Sequence, residues 1–106
     1  MRRGDLVTVA VSGDYGKPRP ALVVQADAFD QHPSVVVLPL SSELHDTPLF
    51  RVRVEAGRQT GLRVASQIMV DKATAVPRAK LGARIGRVDG PTLQAVDVAL
   101  RGFLGL

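Results

Sequence analysis

The sequence predicts a mainly β fold: a small, strongly curved barrel with one helix packed on it at the C-terminal end. Three observations predict it. Over the first three quarters of the chain, glycine, proline and aspartate divide the sequence into short, branched, apolar runs, which is how strands read. Two of those runs are nearly continuous in apolar residues, as strands covered on both faces are. From Asp89 onward the apolar spacing changes to that of a helix.

The predicted strands follow in order. Residues 5–11 (DLVTVAV) carry mixed alternation, whereas 20–26 (PALVVQA) and 35–40 (VVVLPL) are the continuous runs and are expected at the centre of the sheet. Residues 49–54 (LFRVRV) alternate with Arg51 and Arg53 outward, as a half-exposed strand would, and 61–66 (GLRVAS) and 67–71 (QIMVD) come next. Five or six short strands with tight connections favour a barrel. Asp89, Gly90 and Pro91 form a helix start signal with Asp89 as the cap. Leu93, Val96, Ala99, Leu100 and Phe103 then recur at helical spacing, with Gln94, Asp97 and Arg101 on the other side. That stripe serves either core packing or, in part, contact with a second subunit.

At 106 residues, with 45% hydrophobic and 23% charged residues, the chain is sized for one domain spanning 1–106. The net charge of +4 favours a polyanionic partner such as nucleic acid. The absence of cysteine excludes disulfides, thiolate metal sites and cysteine nucleophiles, and two histidines are too few for a dedicated metal site, so no cofactor is expected. The N-terminal MRRGDLVTVAV lacks the form of a signal peptide and no segment has the apolar length to cross a bilayer, so the expected location is the cytoplasm. Arg3-Gly4-Asp5 spells an adhesion tripeptide of the kind that arises often by chance.

Chemistry-bearing residues gather at two strand ends. The loop SGDYGKP, residues 12–18, is rich in turn formers and projects Tyr15 and Lys17 just before Arg19. The cluster PLSSEL, residues 39–44, ends the VVVL strand. Were the second and third strands antiparallel neighbours, Arg19 and Ser41 would lie close together.

Five segments in order, RGDLVTV, GKPRPALVVQ, VVVLPLSS, ASQIMVDKATAV and AKLGARIGRVD followed by a helix, resemble the MazF/PemK toxins of bacterial toxin-antitoxin pairs over nearly the whole chain. The resemblance implies an SH3-like (CcdB/MazF-type) β-barrel, a homodimer, a metal-independent endoribonuclease activity on single-stranded RNA, and a cognate antitoxin protein as partner. By position it makes Arg19 the catalytic arginine and Ser41 the catalytic hydroxyl, where most members have threonine. Ser42 falls on the neighbouring hydroxyl position, and Gln67 and Asp71 on the stretch that lines the central groove. Ser66 stands where several members carry aspartate.

The residue types suit that chemistry. RNA supplies its own nucleophile, the 2′-OH, so the protein needs to align it and stabilise charge on the phosphoryl oxygens. An arginine offers a rigid fork of donors that keeps its proton at neutral pH, and a hydroxyl beside it donates to a second oxygen. Tyr15 and Lys17 are candidates for base stacking and phosphate contact. The basic run Arg78, Lys80, Arg84 and Arg87 reads either as RNA contact or as a solvated face. Plainer roles stand beside these: Arg19 as a strand-end cap or partner of Asp14, Ser41 and Ser42 as turn residues, Gln67 as the partner of a buried backbone group. Two rival functions are a protein-directed toxin of CcdB-like fold and a catalytically inactive RNA- or antitoxin-binding module.

Overall fold

The three most apolar strands, β1 (Asp5–Ala10), β2 (Pro18–Val23) and β3 (Ser34–Ser41), form the centre of one antiparallel sheet. The structure, a computed structural model, describes residues 1–10 and 17–106. Outward from the centre come β4 (Arg51–Val54), β5 (Ser66–Met69), β6 (Thr74–Pro77) and β7 (Leu81–Arg87), in the spatial order β4-β5-β3-β2-β1-β7. β3 is long enough to split its partners, pairing with β6 along its first half and with β5 at its end.

Both faces of the central strands are buried, which is why they read as continuous apolar runs. Inside the barrel, Leu6, Leu22, Leu38, Leu40 and Ile68 pack with Val96 and Ala99 of the helix. On the other face Val7, Val9, Ala21, Val23, Val35 and Val37 form a second cluster, covered by Val76 of β6 and Leu81 of β7. Helix α1 (Gly90–Leu104) starts as predicted: the Asp89 carboxylate accepts from the Thr92 N–H at 2.8 Å, and Gly105 ends the helix in the left-handed region. Leu93, Val96, Ala99 and Leu100 face the core, while Phe103 is half exposed and tilts against Phe50 at 6.4 Å between ring centres. No helix among the described residues is long and apolar enough to cross a membrane.

Several boundaries differ from those the sequence predicts. Val11, expected to end the first strand, lies outside the described residues, and β2 runs 18–23 instead of 20–26. β4 begins only at Arg51, and residues 61–65 form no strand, β5 starting at Ser66. No strand is predicted over β6 or β7, and the basic run covers most of β7. β6 is a four-residue strand with one half-covered side chain, too short for a pattern. β7 hides its alternation: Leu6↔Gly86 is followed by Val7↔Arg84, and Val7↔Arg84 by Val9↔Leu81, so β7 carries one extra residue at each of two bulges.

The two end strands, β4 and β7, share no ladder, so the barrel is open in hydrogen-bond terms. The 55–61 segment bridges the gap, with Arg87 N–H donating to the Gln59 carbonyl at 2.8 Å. Glycine permits that approach: a Cβ on Gly86 would sit 2.2 Å from the Thr60 carbonyl, and one on Gly61, at φ +72°, 1.9 Å from the Ile85 oxygen.

Candidate active site

The β2/β3 register decides the central question of the sequence. Ala21 pairs with Pro39, and each step along one strand is matched by a step back on the other. Continued two residues beyond the paired stretch, that register brings Arg19 toward Ser41, on the face of Ala21 and Pro39. Ser41 in turn pairs with Gln67 of β5, and Gln67 with Arg53 of β4. Ser41, Gln67 and Arg53 therefore form one row across three strands, which the continued β2/β3 register extends to Arg19, on the face opposite the barrel interior. At about 4.8 Å per strand the row spans roughly 14 Å, the reach of a short stretch of extended nucleic acid backbone.

Each member of the row is held differently. Arg19 projects from a backbone fixed by Pro18 and Pro20, and it is exposed. It lines two depressions. One, of about 180 Å³, opens at the barrel mouth between Leu40, Ser42, Leu62, Arg63, Val64 and Ser66. The other is a shallow apolar groove on the outer face, beside Ala21, Pro39 and Val76. The Ser41 hydroxyl oxygen accepts the Glu43 N–H at 3.1 Å, which leaves its own hydrogen to donate outward. Ser42, one residue on, points to the mouth instead.

Gln67 is buried, at 8% exposure, with both ends of its amide engaged: Nε2 donates to the His45 carbonyl at 2.7 Å and Oε1 accepts the His45 N–H at 2.9 Å. Asp71 accepts from Arg51 Nε at 3.2 Å, a partly buried ion pair. Ser66, on the opposite face of β5 from Gln67, donates to the Val64 carbonyl at 3.1 Å. Arg53, whose outward direction is legible in the sequence, carries an ion pair to Glu55 at 2.8 Å. Arg53 and Arg63, which the sequence analysis does not single out for the site, are brought to this row and to the mouth. The outward arginines of a half-exposed strand give a signal for the first, whereas only the cavity reveals the second.

The basic run does not form one surface. Arg78 donates to the His32 carbonyl at 2.8 Å, which ties β6 to the loop after β2. Arg84 and Arg87 converge on Asp5 at 3.1 and 2.8 Å, and Lys80, ahead of both in the chain, is exposed. Burial pushes the Asp5 carboxyl up, but the Arg2 N–H and the two guanidinium groups outweigh it and hold the group below the usual carboxylate range. Asp5 of the adhesion-like tripeptide is thus a buried structural anion. Lys17 is exposed just before β2, and Tyr15 lies outside the described residues. No group of three or more His, Asp and Glu side chains suited to a metal ion is gathered among the described residues.

Fold and site together define a small basic barrel whose outer face carries an arginine and a hydroxyl on adjacent strand ends. Residues 2–104 match the family of PemK-like, MazF-like toxins of type II toxin-antitoxin systems, and the chain belongs to it. It is 47% identical over 107 residues, covering 100% of this chain and 98% of the relative, to a Mycolicibacterium smegmatis protein named "Probable endoribonuclease MazF". A mycobacterial endoribonuclease solved in complex with its cognate antitoxin superposes with a TM-score of 0.80 at 24% identity, over 100% of this chain and 96% of that one. The MazE-MazF structure from Deinococcus radiodurans gives 0.81 at 22% identity, over 100% and 97%. Those two likenesses show that the chain shares their fold.

Proposed function

We propose that the protein is the endoribonuclease toxin of a type II toxin-antitoxin pair, acting in the cytoplasm, and that Arg19 and Ser41 are its catalytic residues. The observation that supports the reading is the β2/β3 register, whose continuation beyond Ala21↔Pro39 brings these two side chains toward one another. In the reaction the 2′-oxygen of a single-stranded RNA attacks the adjacent phosphorus and the bond to the 5′ oxygen breaks. The 2′ proton leaves to a base and the 5′ oxygen gains a proton. The products are a 2′,3′-cyclic phosphate and a 5′-hydroxyl. Arg19 holds the non-bridging oxygens with its fork of donors, and the Ser41 hydroxyl, oriented by the Glu43 N–H, donates to another. Single strands suit the site because in-line attack needs a splayed backbone.

Partners follow from the surface. Val98, Phe103, Leu104 and Leu106 leave apolar area exposed at the end of α1, which supports a homodimer. An acidic antitoxin segment that folds on binding suits the Arg19 face. Lys17 and Lys80 are exposed and available for phosphate contact.

The test is single-turnover cleavage of a labelled RNA in EDTA by folded variants. Arg19→Ala and Arg19→Lys should each lose about 30-fold to 1000-fold in rate, roughly 2 to 4 kcal/mol, because a point charge does not replace a two-pronged donor. Ser41→Ala should lose somewhat less. Near-parental rates in both Arg19→Ala and Ser41→Ala would move the active site elsewhere. RNA binding without cleavage by the parent would favour the inactive module, and neither binding nor cleavage the protein-directed toxin.

A further inference from the structure

We infer that Gln67 is a positioning residue for the Ser41 hydroxyl, acting by clamping the main chain of the 42–46 turn, and that it makes no contact with RNA. The inference rests on the assignment of Ser41 as the catalytic hydroxyl. Three observations carry it. Gln67 is the cross-strand partner of Ser41, so its side chain leaves the sheet beside the hydroxyl on the same face. Its amide closes a two-point hydrogen bond on the N–H and carbonyl of His45, at 2.9 and 2.7 Å. It is buried by the turn it holds, with 8% of its surface exposed, so little of it is left for a ligand to reach.

The turn matters because it orients the hydroxyl. Glu43, whose N–H binds Ser41 Oγ at 3.1 Å, lies between the two brackets of the loop: Ser41 at its start and the clamped His45 at its end. With His45 fixed, the Glu43 N–H has a fixed direction, and the Ser41 oxygen presents its hydrogen to one place. Release of His45 lets the 42–46 segment swing, and the Glu43 N–H goes with it. The His45 side chain lies 3.9 Å from Glu43, within the segment itself.

An amide is the one neutral side chain that both donates and accepts at this spacing, and a protonated carboxyl is its close mimic. That gives a test a merely structural role would not pass. In Gln67→Glu, the ionised carboxylate accepts the His45 N–H but repels the His45 carbonyl. The protonated acid restores both bonds. Burial raises the carboxyl's pKa and Arg53, its cross-strand partner on β4, lowers it, so restoration should set in as the pH falls through the balance of the two.

The experiment measures single-turnover cleavage and RNA affinity of the full chain, with hydrogen exchange of the His45 amide, for the parent, Gln67→Met, Gln67→Glu, Arg19→Ala and Ser41→Ala. Gln67→Met should cut the rate at saturating RNA by roughly 100-fold, the scale of a small misplacement of a reacting group, with RNA affinity unchanged and His45 protection lost. The ratio of Gln67→Glu to parental rate should rise as pH falls, in step with recovered His45 protection. Should Gln67→Glu not fold, Gln67→Met decides alone. The inference is overturned by a parental rate in Gln67→Met, by affinity falling in step with rate, or by a pH-independent ratio. Arg19→Ala and Ser41→Ala variants that both cleave normally overturn the active-site reading itself, and this inference with it. A dead Arg19→Ala beside an unaffected Gln67→Met overturns the inference alone.

Discussion

Replacing Asp5 by asparagine tests whether Arg84 and Arg87 serve the fold or the RNA. The Asp5 carboxylate accepts three hydrogen bonds: the Arg2 N–H at 2.9 Å, Arg84 Nε at 3.1 Å and Arg87 Nη1 at 2.8 Å. Bonds to a charged group contribute about 1.5 to 3 kcal/mol each when both partners are dry. Here the anion side chain is 6% exposed but the Arg84 and Arg87 side chains are 54% and 40% exposed, so solvent recovers much of what they lose. Asparagine keeps the shape and one acceptor but turns an amide N–H toward a guanidinium. The expected loss is about 2 kcal/mol, or roughly 10 °C in Tm for a domain of this size. Because the native carboxyl is held below its ordinary value of 3.8, its contribution is complete above that pH and disappears as pH falls from 3.8 through the native pKa. Urea unfolding of parent and variant from pH 7 to below 3 should therefore give two curves that are parallel at neutral pH and converge in acid. A gap under about 0.5 kcal/mol, the size of an ordinary surface substitution, or one that persists unchanged in acid would refute the reasoning. The functional arm uses Arg84→Gln: it should lose stability and keep RNA affinity, whereas a phosphate contact would reduce the salt slope by about 1.

Three other outcomes are expected. Ser41→Thr should cleave within a few-fold of the parent, since the Glu43 N–H already fixes the oxygen that a threonine methyl would otherwise help to orient; a loss as large as that of Ser41→Ala in the same single-turnover assay would contradict it. Gly86→Ala should cost at least 1 to 3 kcal/mol, roughly the range for overpacked sites, because its Cβ would press on the Thr60 carbonyl at 2.2 Å; calorimetry checks it, and an unchanged Tm would show that the 55–61 bridge yields freely. Asp89→Ala should remove the helix cap and about 1 kcal/mol, read by urea denaturation at neutral pH, with Asp89→Ser recovering most of it.

The parts of the fold that were legible in the sequence are those with a strong period or a strong stop. β1, β2 and β3 are doubly buried and so continuous, and α1 has a cap, a proline and a stripe. β7 was not legible, because two bulges shift its inward residues off a period of two and leave Leu81, Ile85 and two arginines in no recognisable order. Residues 61–65 misled in the other direction. Leu62 is buried and Val64 apolar, so they alternate like a strand, yet Gly61 turns the chain into the left-handed region against β7. Near the candidate site, the antiparallel pairing of the second and third strands, which places the start of one beside the end of the next, was legible. The role of Gln67 was left open between groove and backbone partner, since a buried amide and a ligand-binding one look alike until their partners are seen.

The two departures from the family pattern are unequal, and the pleat of β5 shows why. Successive residues of a strand face opposite ways, so Ser66 and Gln67 lie on opposite sides of the sheet. Gln67 shares the face of Ser41 and Arg53. Ser66 faces the barrel mouth with Leu40, Ser42 and Arg63, and it meets Arg19 only around the end of β2. An aspartate at position 66 would put its charge into that cavity and not between Arg19 and Ser41. Its replacement by serine therefore leaves the outer row of side chains intact and changes the mouth instead, which both Arg19 and Arg63 line. The change at Ser41 falls within the row itself, and there the Glu43 N–H, held in place through His45 and Gln67, fixes the hydroxyl oxygen that in threonine the β-methyl helps to restrain. The hydroxyl is thus constrained by the turn that follows it instead of by its own side chain.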